Sequence, residues 1–135
     1  MRRASVRIMN IITYGTFDTF HYGHLDLLSR AKSLGEKLVV GVSTDQFNTI
    51  KGKTCYFNFE KRVSWINQLK CVDVVLPENS WEQKKEDIKK YKIDMLVMGD
   101  DWRDKFDYLP CDVYYLNRTD LISSTEIRNI LKKEV

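Results

Sequence analysis

Apolar residues gather in five short runs, and the stretches between them carry apolar positions at helical spacing. The first run, residues 10–14, reads as a buried strand. Beyond it Leu25, Leu27, Leu28, Ala31 and Leu34 recur roughly once per helical turn, with Gly35 as the stop. Residues 37–44 have no polar interruption in their middle, which suits a parallel strand covered on both faces. A polar connection then begins at 44–48 and carries Lys51-Gly52-Lys53. The spacing predicts a helix over 58–69, capped by Asn58, with Phe59, Val63, Ile66 and Leu69 inward. Residues 72–76 read as a third strand, ended by Pro77. Ser80 is expected to cap a charged helix reaching about Tyr91, with Trp81, Ile88 and Tyr91 inward. Its lysines (Lys84, Lys85, Lys89, Lys90) alternate with Glu82, Glu86 and Asp87 as a solvated face. Residues 93–98 and 113–116 supply the last strands. Ser123, three before Glu126, forms a capping box for a final helix to about Lys132.

Strands alternating with helices predict a single-domain α/β fold, a Rossmann-like, doubly wound five-stranded parallel sheet flanked by helices. In such sheets ligands bind beyond the carboxyl ends of the strands. The polar clusters all fall at such ends: Thr16 to His24, Lys51 and Lys53, Asp100 to Trp102, and Arg118 to Thr125. Residues 1–8 stand apart. Arg2-Arg3-Ala4-Ser5-Val6 looks like a basic-directed kinase site of the kind used as a labelling tag, so 1–8 are expected to be an extension and 9–135 the domain.

Composition narrows the picture. A chain of 135 residues, 43% hydrophobic, suffices for one domain with a core. Its net charge of +3 comes from interleaved acidic and basic residues, which suits a local anion site and argues against a nucleic-acid tail. Cys55, Cys71 and Cys111 are an odd set without C-x-x-C spacing, so neither a disulfide framework nor a zinc site is expected. No apolar run approaches the roughly 20 residues that span a bilayer, and a soluble, cytoplasmic protein without membrane insertion is expected.

The chemistry centres on His21 and His24, the chain's two histidines, at a strand-to-helix turn. A helix N-terminus offers unpaired N–H groups and a positive dipole end to a phosphate. Neither a P-loop nor a G-x-G-x-x-G fingerprint is present. The histidines themselves admit four readings: structural residues, a metal pair with Asp18 or Asp26, a general base, or N–H donors to a transferring phosphoryl group. Arg118, Thr119, Ser123 and Thr125 combine an arginine, hydroxyls and a helix start, a second phosphate cradle.

Gly15-Thr16-Phe17-Asp18 followed by His21-Tyr22-Gly23-His24 resembles the signature of the cytidylyltransferases of the nucleotidyltransferase superfamily. Trp81 to Lys85, Met98 to Trp102, Lys105 to Asp107, Arg118-Thr119 and Ile122 to Thr125 are similar to the glycerol-3-phosphate cytidylyltransferase branch. The likeness runs from about Met9 to Arg128. It implies transfer of CMP from CTP to an alcohol phosphate, with magnesium on the phosphates, by in-line attack and without a general base.

By the same resemblance His21, His24, Lys51 and Arg118 carry catalysis. Thr16, Phe17, Asp18, Gly23, Asp101, Trp102, Arg118, Thr119, Ser123, Ser124 and Thr125 hold the nucleotide, and Lys51, Lys53, Lys70 and Trp81 the acceptor. It also implies a homodimer. Glycerol 3-phosphate is the leading acceptor. The alternatives are phosphoethanolamine, a sugar phosphate, ATP with FMN, or a nucleotide-binding module without catalysis. Leu121, Ser124 and Lys70 stand where the family usually has glycine, threonine and arginine.

Overall fold

The computed structural model describes residues 8–117. Expectations for residues 1–7, for Arg118, Thr119, Leu121, Ser123, Ser124 and Thr125, and for the last helix lie outside the described residues. The described chain forms β1 (Asn10–Gly15), α1 (Tyr22–Ser33), β2 (Lys37–Ser43), α2 (Asp45–Ile50), α3 (Phe59–Asn67), β3 (Val74–Glu78), α4 (Gln83–Lys90), β4 (Met95–Gly99), a short 3-10 turn (Asp100–Trp102) and β5 (Asp112–Leu116). The strands make one all-parallel sheet in the order β3-β2-β1-β4-β5. The doubly wound five-stranded sheet expected from the pattern is the fold observed.

The two-residue period of the strands divides the core between the two faces. Ile11, Leu38, Val40, Val42 and Val97 pack with Leu28 and Ala31 of α1 and Ile66 of α3. Ile12, Val39, Leu96 and Met98 point the other way, onto Ile88 of α4 and Phe106. Each fully buried Leu, Ile or Val contributes roughly 1.5–3 kcal/mol, and β1 supplies such residues to both faces. The chain reverses its direction across the sheet between β1 and β4, leaving a crevice at their carboxyl ends.

Four local expectations are corrected. Residues 45–50 are helical, because the Thr44 hydroxyl accepts from Phe47 N at 3.1 Å and nucleates α2 where a polar connection was expected. Pro77 lies within β3, which runs to Glu78; β3 is an edge strand, where a missing N–H is tolerated. Ser80 does not cap α4. The helix starts at Gln83, whose amide accepts from Asn79 N at 2.7 Å and donates to Pro77 O at 2.6 Å. Lys84 and Asp87 leave the expected solvated face: Lys84 is buried against Glu78, and buried Asp87 accepts from Tyr14 and Gln83.

Asn58 caps α3 as the spacing predicts, accepting from Lys61 N at 2.9 Å. At the amino end of the domain, Met9 is tied in through its carbonyl, which accepts from Glu36 N and Lys37 N.

Candidate active site

β1 runs straight into the phosphate turn. A Cβ on Gly15 would lie 2.8 Å from the Phe17 ring, so glycine there lets that ring fold back into the core. Phe17 and Thr19 both hold positive φ, 56° and 44°, which costs about 1–3 kcal/mol at a non-glycine residue. Contacts from distant parts of the chain hold the turn in place. Thr16 O accepts from Arg62 Nη1 at 2.9 Å, and the Thr16 hydroxyl accepts from Ser43 Oγ at 3.2 Å. Asp18 accepts from Tyr56 N (2.8 Å) and Phe57 N (3.1 Å), clasping the segment that follows the two lysines. Of the roles open to Asp18, orienting the turn is the one these bonds supply.

His21 and His24 form a capping box at the start of α1. Gly23 N donates to His21 Nδ1 at 3.0 Å, and His21 N donates to His24 Nδ1 at 3.2 Å. Each Nδ1 is therefore an acceptor, so in each neutral ring the proton sits on Nε2. The rings stack at 3.9 Å between centroids, and His24 also meets the edge of Phe17. Burial pushes the His24 pKa down to about 4, with His21 adding to the fall and Asp18 opposing it; burial lowers that of His21 as well. Near pH 7 the pair is neutral, with two N–H donors. The turn thus has the electrostatics of a donor site for anionic oxygen.

His24 opens onto a cavity of about 480 Å3 lined also by Thr16, Phe17, Asp18, Lys51, Lys53, Trp81, Asp101 and Trp102. His21 and Gly23 stand at the cap beside this wall. Lys51 is half-buried, with Nζ 4.7 Å from the Phe47 ring centroid and 5.7 Å from that of Trp81. Burial lowers its pKa, Lys53 and Lys84 act in the same direction, and Glu78 opposes them. Lys53 N donates to Asn48 O, and Gly52 between the lysines takes the left-handed conformation at φ 75°.

Trp81, expected to pack inward, is 38% exposed and stands between Phe47 and Trp102. Lys70 is apart from all of this. It is exposed between α3 and β3, at the amino end of the strands, and does not line the cavity of its own chain.

A family model described as cytidylyltransferase-like matches residues 12–130. The chain belongs to the cytidylyltransferase-like family. It is 53% identical over 120 residues to a glycerol-3-phosphate cytidylyltransferase of Bacillus spizizenii, covering 87% of this chain and 93% of that one. It is 47% identical over 123 residues to the Staphylococcus aureus protein of the same name, covering 90% and 93%. Among solved structures it resembles a lipopolysaccharide core biosynthesis protein from Thermoplasma volcanium, with a TM-score of 0.71 and 25% identity over 82% of this chain and 98% of the other.

Among the described residues four charged side chains of this cytidylyltransferase-like chain are buried: Arg62, Glu78, Lys84 and Asp87. Arg62 is fully buried and donates to Phe57 O, Thr16 O, Ser43 O and Asp45 Oδ1, tying the turn, the end of β2 and the start of α2 together. The signal was its place, three residues after Phe59 and one before Val63, on the inner face of α3. Glu78 and Lys84 pair at 2.7 Å in the cavity wall. For them the sequence holds no comparable signal, because α4 is rich in lysines at every angle.

Proposed function

We propose that the chain transfers CMP from CTP to glycerol 3-phosphate, forming CDP-glycerol and pyrophosphate. An oxygen of the acceptor phosphate attacks the α-phosphorus in line, the new P–O bond forms, and the bond to the bridging oxygen of the β-phosphate breaks. The acceptor is already ionised near pH 7, so no proton need be removed. The work left to the protein is alignment and neutralisation of crowded oxygens. His24 and His21 donate Nε2–H to the α- and β-phosphates as charge shifts toward the leaving pyrophosphate. Thr16, Phe17, Gly23 and the α1 N-terminus follow the triphosphate, with Arg118, Thr119, Ser123, Ser124 and Thr125 assigned to its other side.

Lys51 and Lys53 draw the acceptor phosphate against the α-phosphate. Asp101 accepts from the cytosine amino group, and Trp102 packs against the base and ribose. Trp81 borders the acceptor end. Magnesium enters as part of the MgCTP substrate, held by phosphate oxygens and water; both Asp18 oxygens are already engaged by backbone N–H groups. A cytoplasmic homodimer belongs to the same proposal. Support for it is the family likeness; among the described residues no helix is long and apolar enough to cross a membrane.

The observation that carries the mechanism is the reciprocal histidine cap, which commits each Nδ1 to the backbone and leaves Nε2–H for the substrate. The test is a pyrophosphate-release panel crossing CTP and ATP with glycerol 3-phosphate, phosphoethanolamine and a sugar phosphate. CTP with glycerol 3-phosphate should give the highest kcat/KM. Equal turnover of ATP would remove the cytosine assignment. CTP binding with no release for any acceptor would reduce the protein to a nucleotide-binding module.

A further inference from the structure

The loop between β4 and β5 contributes Asp101, Trp102 and Phe106 to the cavity lining without being part of the sheet. Its backbone bonds from Arg103 N to Asp100 O, Lys105 N to Trp102 O and Leu109 N to Phe106 O are all local, so they shape the loop without fixing it to the sheet. Tyr115 makes that attachment. It sits on β5 opposite Met98 and is buried. Its hydroxyl accepts from Phe106 N at 2.9 Å and donates to Asp107 Oδ1 at 2.9 Å. The Arg103 guanidinium, paired with Asp100, lies 5.7 Å from the Tyr115 ring centroid. Phe106 in turn meets Trp102, with 5.4 Å between ring centroids. Burial pushes the Tyr115 pKa up, with the bond from Phe106 opposing, so near pH 7 the phenol keeps the proton it donates.

We propose that Tyr115 is a positioning residue for the nucleotide: its hydroxyl latches the loop at Phe106 and Asp107, and the Phe106–Trp102 contact carries that placement to the groups assigned to base and ribose. This rests on the CMP-transfer reading and deepens it. Tyr115 does not itself line the cavity, so it acts through the loop and not by touching CTP. A phenylalanine would fill the same space in the core but leave Phe106 N without this acceptor and Asp107 without this donor. A loop fixed before the substrate arrives need not be ordered on binding. The latch therefore lowers the cost of holding CTP and leaves the in-line transfer itself unchanged.

The experiment measures pyrophosphate release by the full chain, with CTP varied at saturating glycerol 3-phosphate and then the reverse. It compares the native protein, Tyr115→Phe, Asp107→Ala and Asp107→Asn. In Tyr115→Phe the KM for CTP should rise about fivefold to tenfold, the scale of one hydrogen bond's net worth. The kcat and the KM for glycerol 3-phosphate should stay within about twofold. Asp107→Ala should raise the CTP KM in the same direction. Asp107→Asn, which keeps an acceptor for the phenol, should restore part of that loss. A tyrosine that only stabilised the fold would lower the melting temperature and leave the CTP KM where it is.

An unchanged CTP KM in folded Tyr115→Phe overturns the proposal, while CMP transfer stands. So does an equal rise in both KM values, which would mean a general loosening of the cavity. Should Tyr115→Phe fail to fold, the Asp107 pair decides: a native CTP KM in Asp107→Ala, or equal values in the Ala and Asn variants, overturns the proposal. If the native chain releases pyrophosphate with no acceptor, CMP transfer fails. Calorimetry then reads the latch, since CTP must bind the native chain more tightly than Tyr115→Phe, and equal affinity or none overturns it.

Discussion

The phosphate turn and the corner formed by Glu78 and α4 both take polar groups out of water in the same cavity, but by opposite means. In the turn the histidines are satisfied by backbone groups two and three residues away. At the corner Lys84 depends on a strand end and on rings from β1, the segment before α4 and the loop after β4. Arg62 is the extreme of the second kind, since one of its carbonyl partners is 46 residues distant. Local satisfaction leaves a side chain free to change its work at little cost in stability. Long-range satisfaction makes the same residue a structural keystone.

The sharpest test of that contrast is to remove a donor and keep its cap. His21→Asn retains a cap-competent side chain and loses Nε2–H. CMP transfer should fall by about 10²–10³ while the melting temperature barely moves. Near-native turnover would assign the histidines to structure alone. His24→Gln should lose activity to a similar extent.

Arg62→Met should reverse the balance, destabilising the fold by about 3–5 kcal/mol because three carbonyls lose their donor and Asp45 loses its ion-pair partner, keeping only the bond from Phe59 N. Urea unfolding measures it, and a loss under 1 kcal/mol would mean the turn does not lean on Arg62.

Tyr14→Phe is a milder break. The phenol donates to Asp87 at 2.8 Å, and Asp87 keeps a second bond from Gln83 at 3.0 Å. About 1–2 kcal/mol should be lost, with acceptor preference unchanged.

The remaining effect is in pH. Folded His24 takes its proton only near pH 4, whereas the unfolded chain takes it near the ordinary value of 6.5. Between these the unfolded state binds more protons, so His24's contribution is fully present above about pH 6.5 and lost as pH falls toward 4. Urea midpoints at pH 7, 6 and 5 should fall in that order, and less steeply in His24→Gln. Asp73, held below its usual range chiefly by Lys32, adds a loss of the same sign at still lower pH.

Much of this protein is written locally. The buried runs at 10–14, 37–44 and 93–98 became β1, β2 and β4, because alternation and β-branched composition act within a few residues. The H-x-G-H spacing carried its own geometry, since three residues is the reach of a capping box. Asn58 likewise capped the helix its neighbours specify. Where the sequence misled, some deciding partners were near, as Thr44 is to Phe47 in α2, and others belonged to the assembled sheet and cavity. Pro77 is tolerated because β3 is an edge, a property of strand order. Gln83 displaced Ser80 by bonding the backbone of Pro77 and Asn79, at the end of β3 and just beyond it. Lys84 turned inward because Glu78, Tyr14, Trp81 and Phe106 converge on it.

The sequence by itself determined the sheet, the turn and the histidine donors, all products of short-range backbone chemistry. Only the tertiary structure decided which of α4's four lysines enters the cavity and which arginine holds the turn. A buried charge is chosen by the partners that surround it, and those partners come from across the chain.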